Sequence, residues 1–366
     1  MKILITGGHL TPALAVIDEI KKIKPETEIV FVGRKYSLDF EKTISLEFKE
    51  ISQRNIHFIN LSAGRLTRII SWRSFLSFLK IPIGFLQAFF IVVEQKPEIV
   101  LSFGGYLALP LVFWAWWFKI PCFTHEQTIN PGLTNRLIAR FAKKIFIAFE
   151  QTKKYFPQEK TFVVGNPIRE TVLKVIDKPF EIKKTKPVIY ITGGSLGSHS
   201  INLHIKNILP DLLKKYLVIH QTGETKQYHD YEDLEKIKNQ LPKKLKEQYF
   251  LKKHFFEKEI GYVYSLADLV ISRCGANTFF ELVALKKPAV LIPLPWSAGR
   301  EQQLHAEILA KAGCAQIFHQ VESSKKLLRL IDSMVKNLDF YKKNFSYLNL
   351  NYQKNAASSI VKEIFQ

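Results

Sequence analysis

One pattern occurs twice in this chain. Ile3-Leu4-Ile5-Thr6-Gly7-Gly8 leads into a helical stretch, and Ile189-Tyr190-Ile191-Thr192-Gly193-Gly194 does the same far downstream. An apolar strand, a glycine turn where backbone passes close to a ligand, and a helix pointing its N-terminus at that ligand together open a Rossmann-like unit. A chain with two such openings is expected to fold as two such units. Its 366 residues also exceed what one hydrophobic core usually organises.

The rest of the chain keeps the same alternation. Apolar runs near 2–6, 28–33, 57–61, 98–103, 121–125 and 144–149 read as strands of the first unit. Runs near 188–192, 217–221, 249–254, 269–272, 289–293 and 314–318 read as strands of the second. Between them lie amphipathic stretches such as Ala13, Leu14, Val16, Ile17, Ile20 and Ile23, spaced for a helix. Continuous apolar strands separated by helices predict parallel sheets covered on both faces. Pro167, Pro179, Pro187 and a Lys-rich run break the pattern. The boundary is accordingly placed between residues 163 and 164, giving units 1–163 and 164–344. The tail, about 345–366, is expected to be helical and to pack back on the first unit.

Charge and cysteine content exclude several classes. Lys and Arg number 53 against 33 Asp and Glu, a net charge of +20. Such a surface attracts polyanions: nucleic acid, anionic lipid or phosphorylated substrates. A nucleic-acid-binding protein would gather the charge on one module with aromatic readers. Here it is spread over both halves without a DNA- or RNA-binding motif, so no nucleic-acid partner is expected. Cys122, Cys274 and Cys314 form no CxxC pair, which argues against a zinc site or disulfide framework and fits a reducing cytosol. Met1 to Ile5 is too short before its glycines for a signal peptide and reads as a buried strand. Ile81–Val93 and Leu107–Phe118 are apolar but interrupted by Pro82, Gly84, Gln87 and Pro110. A spanning helix needs about 20 apolar residues, so a core helix or an interfacial surface remains.

Four segments carry chemistry. Thr6-Gly7-Gly8-His9 ends the first strand, with Thr11-Pro12 opening the helix, so His9 sits where open α/β sheets bind ligands. Gly193-Gly194-Ser195-Leu196-Gly197-Ser198 is neither GxGxxG nor a Walker A motif, which removes support for hydride transfer and ATP hydrolysis. It still suits an anion, especially a diphosphate. In Ser272-Arg273-Cys274-Gly275-Ala276-Asn277-Thr278-Phe279-Phe280-Glu281 a helix opens at Gly275 and Ala276. Glu281, about one and a half turns in, is placed to accept hydrogen bonds from ribose hydroxyls. Arg300-Glu301-Gln302-Gln303 offers paired amides that read sugar hydroxyls. No Asp-x-Asp occurs, so a diphosphate would be held by glycine turns and helix dipoles, with no metal or other cofactor expected.

In order, Gly-Gly-His-x-x-Pro, Phe103-Gly104-Gly105-Tyr106, His125-Glu126-Gln127, Pro131-Gly132-Leu133-Thr134-Asn135, Gly165-Asn166-Pro167-Ile168-Arg169, Gly193-Gly194-Ser195-x-Gly197, Ser272-Arg273-x-Gly275-Ala276 and Gln302 resemble the MurG family of GT-B glycosyltransferases over the whole chain. The resemblance implies two Rossmann-like domains with parallel sheets facing across a cleft. It implies UDP-N-acetylglucosamine as donor and a polyprenyl-diphosphate-linked muramoyl peptide as acceptor, joined by an inverting transfer to the 4-hydroxyl of the muramoyl sugar. Carried over by residue, Ala276, Asn277, Thr278 and Glu281 surround diphosphate and ribose. Ser195 and Arg169 hold phosphates, and Gln302 contacts the sugar. Thr6, Gly7, Gly8 and His9 face the reacting centre, His9 as base or as a positioner of the acceptor. The chain departs from the family in a shorter first glycine loop, in Thr128 where many members have an Asn on the donor's N-acetyl group, and in Glu301 where some have Gln. A related transferase acting on another lipid would keep the UDP site and change the acceptor.

A lipid-linked acceptor requires the enzyme to reach a membrane. Residues 65–80 mix apolar and basic side chains: Trp72, Phe75, Leu76 and Leu79 share a helical face, flanked by Arg65, Arg68, Arg73 and Lys80. Peripheral binding to the cytoplasmic face of the cell membrane is expected through Arg68, Trp72, Arg73, Phe75, Leu79 and Lys80.

Overall fold

The computed structural model describes residues 1–38, 41–62, 72–223, 228–348 and 355–366, with the side chains at 37–43, 46, 72–80 and 298 outside the description. The chain divides into two units, Met1–Ile168 with Leu350–Gln366, and Arg169–Asn349.

Unit 1 holds strands β1 (Lys2–Thr6), β2 (Glu28–Gly33), β3 (Tyr36–Leu38), β4 (Glu41–Ile44), β5 (His57–Asn60), β6 (Ile99–Ser102), β7 (Cys122–Glu126), β8 (Lys144–Ile147) and β9 (Thr161–Val163). Seven of them form a parallel sheet in the order β5-β2-β1-β6-β7-β8-β9. The central strands β1, β2 and β6 are apolar on both faces because both faces are covered. Ile3 and Ile5 pack with Val16, Ile17 and Ile20 of the helix Leu10–Ile23. Leu4, pointing the other way, packs with Val92 and Leu111. The chain leaves β1 toward β2 and β5, then returns to β6 on the opposite side. The crevice between β1 and β6 is thus a topological switch point, where such sheets bind ligands.

Unit 2 repeats the plan with β10 (Val188–Thr192), β11 (Leu217–Gln221), β12 (Tyr249–Lys252), β13 (Leu269–Ser272), β14 (Ala289–Leu291) and β15 (Ala315–Ile317). These six are parallel in the order β12-β11-β10-β13-β14-β15. The switch point lies between β10 and β13. Both glycine turns read from the sequence therefore end the strand that borders a switch point.

The division falls between Ile168 and Arg169 rather than at 163/164. Val164 belongs to the core of unit 1, and the N–H groups of Val164 and Gly165 both reach Ile147 O. The return of the tail also starts later than 345, since Phe345 still lies in unit 2. The helix Ala356–Ile364 buries Ile360, Val361 and Ile364 in the same cluster as Ile3 and Val16, and Lys144 Nζ lies 2.6 Å from Glu363 Oε2.

The expected amphipathic segment at 65–80 is described only in part. Arg68 lies outside the described residues. Trp72, Arg73, Phe75, Leu79 and Lys80 lie in the helix Trp72–Gln95, with side chains outside the description. Further along that helix Ala88, Ile91 and Val92 are buried, while Ile83, Leu86, Phe90 and Val93 are exposed at 40–58%. Their spacing of three and four residues makes one continuous apolar stripe. Trp116, Trp117 and Phe118, at the end of the packed neighbour Ala108–Trp117, are exposed too. Exposed Lys96 and Lys119 follow the two helices. Among the described residues no helix is long and apolar enough to cross a membrane.

Candidate functional site

In unit 1 the functional side chains gather at the carboxyl ends of β1, β6 and β7. The turns after β1 and β6 press together: a Cβ on Gly8, whose φ is +151°, would lie 2.3 Å from Gly104 O. Only glycine fits there. Thr6 is fully buried, and its Oγ1 has no hydrogen-bond partner among the described residues. The turn's amides are engaged within the protein. Gly7 N–H donates to Val32 O at 3.0 Å and His9 N–H to Phe103 O at 3.2 Å. Gly8 N–H donates to the Glu47 carboxylate, which also accepts from Arg34 N at 3.2 Å. Burial pushes Glu47 above the usual carboxylate range. Nothing in the sequence signals Glu47, because its place at the turn arises from the helix Leu46–Gln53 packing over β2 and β5.

His9 stands immediately before the helix Leu10–Ile23 without capping it through its side chain, and its Nδ1 lies 2.8 Å from Gln127 Nε2. Burial lowers the His9 pKa, with the nearby Glu126 charge opposing. His125, fully buried, sets Nε2 3.0 Å from Gly165 O, and burial takes its pKa down to about 4. Glu126 is buried, and among the described residues no cation lies at hydrogen-bond distance: Oε1 accepts from Thr128 N at 2.9 Å and Thr128 Oγ1 at 2.8 Å, and Oε2 from Asn135 Nδ2 at 2.8 Å. Thr128 is thereby tied to Glu126 and to Asn130 O, and its hydroxyl organises the loop after β7.

In unit 2 the site is built at the ends of β10, β13 and β14. The turn Gly193–Ser198 is held by Gln221, whose Nε2 donates to Gly194 O at 2.9 Å, and leaves Ser195 exposed. Gly197, at φ +81°, packs so closely on Thr222 that a Cβ would lie 2.0 Å from Thr222 O. The helix Ala276–Leu285 starts at Gly275, at the carboxyl end of β13, with no side-chain cap, and Asn277 and Thr278 lie in its first turn. A helix N-terminus of this kind attracts negative charge.

Glu281 is 8% exposed. Its Oε2 accepts from Tyr264 OH at 2.9 Å, and its Oε1 lies 3.8 Å from Arg169 Nη2. Burial raises its pKa, while Arg169 and the Tyr264 hydroxyl favour the ionised form. Glu281 and Arg169 are thus brought together from far apart in sequence. Gln302 accepts from Leu294 N through Oε1 at 3.0 Å, which fixes the loop after β14. A residue not singled out from the sequence, Arg273, ties the site together. Its Nη2 donates to Ser198 Oγ, Ser200 Oγ and Gln320 Oε1 at 2.8–3.0 Å, and its Nη1 to Ile292 O at 2.8 Å. Burial takes its pKa down to about 10, which still leaves it charged at neutral pH. Among the described residues no group of three His, Cys, Asp or Glu is placed to hold a metal ion.

Comparison with known proteins identifies the family and the fold. The glycosyltransferase family 28 N-terminal domain matches residues 6–147, and the family 28 C-terminal domain matches 188–364. A Bacillus cereus protein named UDP-N-acetylglucosamine–N-acetylmuramyl-(pentapeptide) pyrophosphoryl-undecaprenol N-acetylglucosamine transferase 2 is 32% identical, covering 99% of each chain. A Clostridium perfringens transferase of the same name, without the numeral, is 34% identical over 99% of this chain and 98% of its own. Among solved structures, MurG of Acinetobacter baumannii superposes with a TM-score of 0.70 at 24% identity, covering 100% of this chain and 99% of its own. UDP-GlcNAc 2-epimerase from Neisseria meningitidis, at 16% identity and TM-score 0.67 over 100% of both chains, shares the fold.

Proposed function

The chain belongs to glycosyltransferase family 28, in its MurG line, and from that premise we propose how its residues carry the reaction. It transfers N-acetylglucosamine from UDP-N-acetylglucosamine to the muramoyl sugar of an undecaprenyl-diphosphate-linked pentapeptide, converting lipid I to lipid II. The observation that carries the assignment of donor to unit 2 is the pairing of Glu281 with Arg169 beside the uncapped start of the helix Ala276–Leu285.

Glu281 accepts from the ribose hydroxyls, with Tyr264 fixing one of its oxygens. Arg169, the amides of Ala276, Asn277 and Thr278, and Ser195 receive the diphosphate. The Gln302 amide nitrogen donates to the sugar. As the 4-hydroxyl of the acceptor attacks the anomeric carbon from the face opposite UDP, the bond to the diphosphate breaks, configuration inverts and the hydroxyl's proton is released to solvent. Negative charge then grows on the leaving UDP, where a guanidinium and a helix N-terminus stabilise it without a metal. In unit 1, Thr6, Gly7, Gly8 and His9 form the acceptor side, and Thr128 shapes the loop beside it.

The acceptor's lipid keeps it at a membrane, so the enzyme works as a peripheral protein on the cytoplasmic face. Ile83, Leu86, Phe90 and Val93 extend the expected contact segment with an apolar stripe suited to an interface, and the net charge of +20 favours anionic lipid. The test of the whole reading is mass spectrometry of the product from UDP-N-acetylglucosamine and a lipid-linked muramoyl pentapeptide. We expect a gain of one N-acetylhexosamine, and an unmodified acceptor with folded protein would refute it.

A further inference from the structure

Gln127 follows β7 and His9 follows β1, and the two side chains meet through one hydrogen bond, Gln127 Nε2 to His9 Nδ1, at 2.8 Å. A carboxamide nitrogen carries two hydrogens and accepts nothing. His9 Nδ1 is therefore the acceptor, and a neutral imidazole with a bare Nδ1 carries its hydrogen on Nε2. A proton added to Nδ1 would point at the amide hydrogens, so the same contact disfavours the imidazolium. Gln127 is itself buried, at 6% exposure, and its Oε1 has no hydrogen-bond partner among the described residues, so Nε2 makes the one contact this amide has. The titratable groups around His9 are Glu126 and His125 on β7 and Glu47, which reaches the neighbouring Gly8 amide. Burial lowers the His9 pKa, so the uncharged ring prevails at neutral pH.

We propose that Gln127 is a positioning residue that holds His9 as the Nε2–H tautomer, so that His9 meets the lipid-linked sugar as a hydrogen-bond donor to one of its oxygens and not as the base. The bond to the substrate then runs outward from the imidazole, toward a phosphate, carbonyl or ring oxygen. This rests on the reading of unit 1 as the acceptor side, and its first test is independent of turnover.

The full chain is labelled with 15N-histidine, and long-range proton–nitrogen spectra are recorded at neutral pH, with His9 assigned by its loss in His9→Gln. A bare Nδ1 and a protonated Nε2 are expected. A protonated Nδ1, with the Gln127 amide turned to present its oxygen, overturns the proposal whether or not the transfer reaction is observed. Gln127→Glu supplies an acceptor in place of a donor and is expected to move the proton to Nδ1. With the donor gone, kcat falls by about 10²-fold, the usual cost of one preorganised donor, while KM for UDP-N-acetylglucosamine is unchanged. A tautomer switch that leaves kcat intact or raises it overturns the donor role. His9→Gln places an amide N–H near the position of Nε2–H and is expected to stay within about tenfold of wild type, where His9→Ala loses about 10²–10³-fold. Equal losses in the two variants overturn it.

Discussion

Replacing Glu281 by alanine tests the donor site most directly. A carboxylate has four lone-pair positions. Tyr264 OH occupies one at 2.9 Å, and Arg169 approaches the other oxygen at 3.8 Å, which leaves positions on both oxygens for the two ribose hydroxyls. Hydrogen bonds to a charged group contribute about 1.5–3 kcal/mol each, so two would amount to about 3–6 kcal/mol. Two effects work against the full loss. Arg169, freed from its carboxylate, pulls harder on the diphosphate, and a negative charge near that diphosphate disappears. The lower end of the range is therefore the expectation, about 10²-fold weaker UDP binding at about 1.4 kcal/mol per factor of ten. Glu281→Gln keeps one acceptor and should lose about tenfold on the same scale. The assay is calorimetric titration with UDP, with circular dichroism to show that each variant is folded. Burial raises the Glu281 pKa. Wild-type affinity should accordingly fall as pH drops through that raised value, and the alanine variant should lack this dependence. An unchanged dissociation constant in folded Glu281→Ala would refute the reasoning.

Three further outcomes are expected. Turnover should persist in excess chelator, and complete loss restored by magnesium or manganese would sink the metal-free account of UDP departure. In vesicle flotation, Leu86→Asp with Phe90→Asp should weaken binding to all vesicles, whereas Arg68, Arg73 and Lys80 changed together to Glu should weaken it on anionic vesicles at low salt, at about 1 kcal/mol per lost basic residue; binding by both variants equal to wild type would remove this face as the contact. His220 is fully buried between Tyr249 OH and Asn202, and its pKa falls from 6.5 to about 3. Its folded form is neutral, so its contribution is whole above pH 6.5 and is lost as pH falls toward 3, about 2–3 kcal/mol by pH 4.5. His220→Gln should make the melting temperature less steep against pH over that window, and identical slopes would refute the assignment.

The sheets were legible because parallel strands covered on both faces must be apolar throughout. All twelve strands expected from the sequence are present, from Lys2–Thr6 to Ala315–Ile317. The strands that escaped notice, Tyr36–Leu38, Glu41–Ile44 and Thr161–Val163, are three or four residues long, too short to show a period. The glycine turns were legible as turns, but not what their amides touch. That Glu47 would fill the first turn, or that Gln127 would reach His9 across 118 positions, depends on packing between elements that no local pattern encodes. The helix Trp72–Gln95 shows the same limit from the other side. Ile83, Leu86, Phe90 and Val93 have the composition of a core stripe, and only the fold distinguishes them from the buried Ala88, Ile91 and Val92. Gln302 is expected at the sugar from its amide and from the family resemblance, and half of that amide is committed to Leu294 N.

The helix Ala356–Ile364 sets an order of events for folding. The core of unit 1 needs Ile360, Val361 and Ile364 beside Ile3 and Val16, so during synthesis it waits for residues made more than three hundred positions after its first strand. Unit 2 is one uninterrupted stretch, Arg169–Asn349, and can complete its sheet while the first unit still lacks its last layer. Until then the flank of the helix Leu10–Ile23 that Ile360 and Val361 will cover stays apolar and open. A nascent chain stalled before residue 356 would therefore present a finished second unit and a first unit prone to chaperone capture or proteolysis.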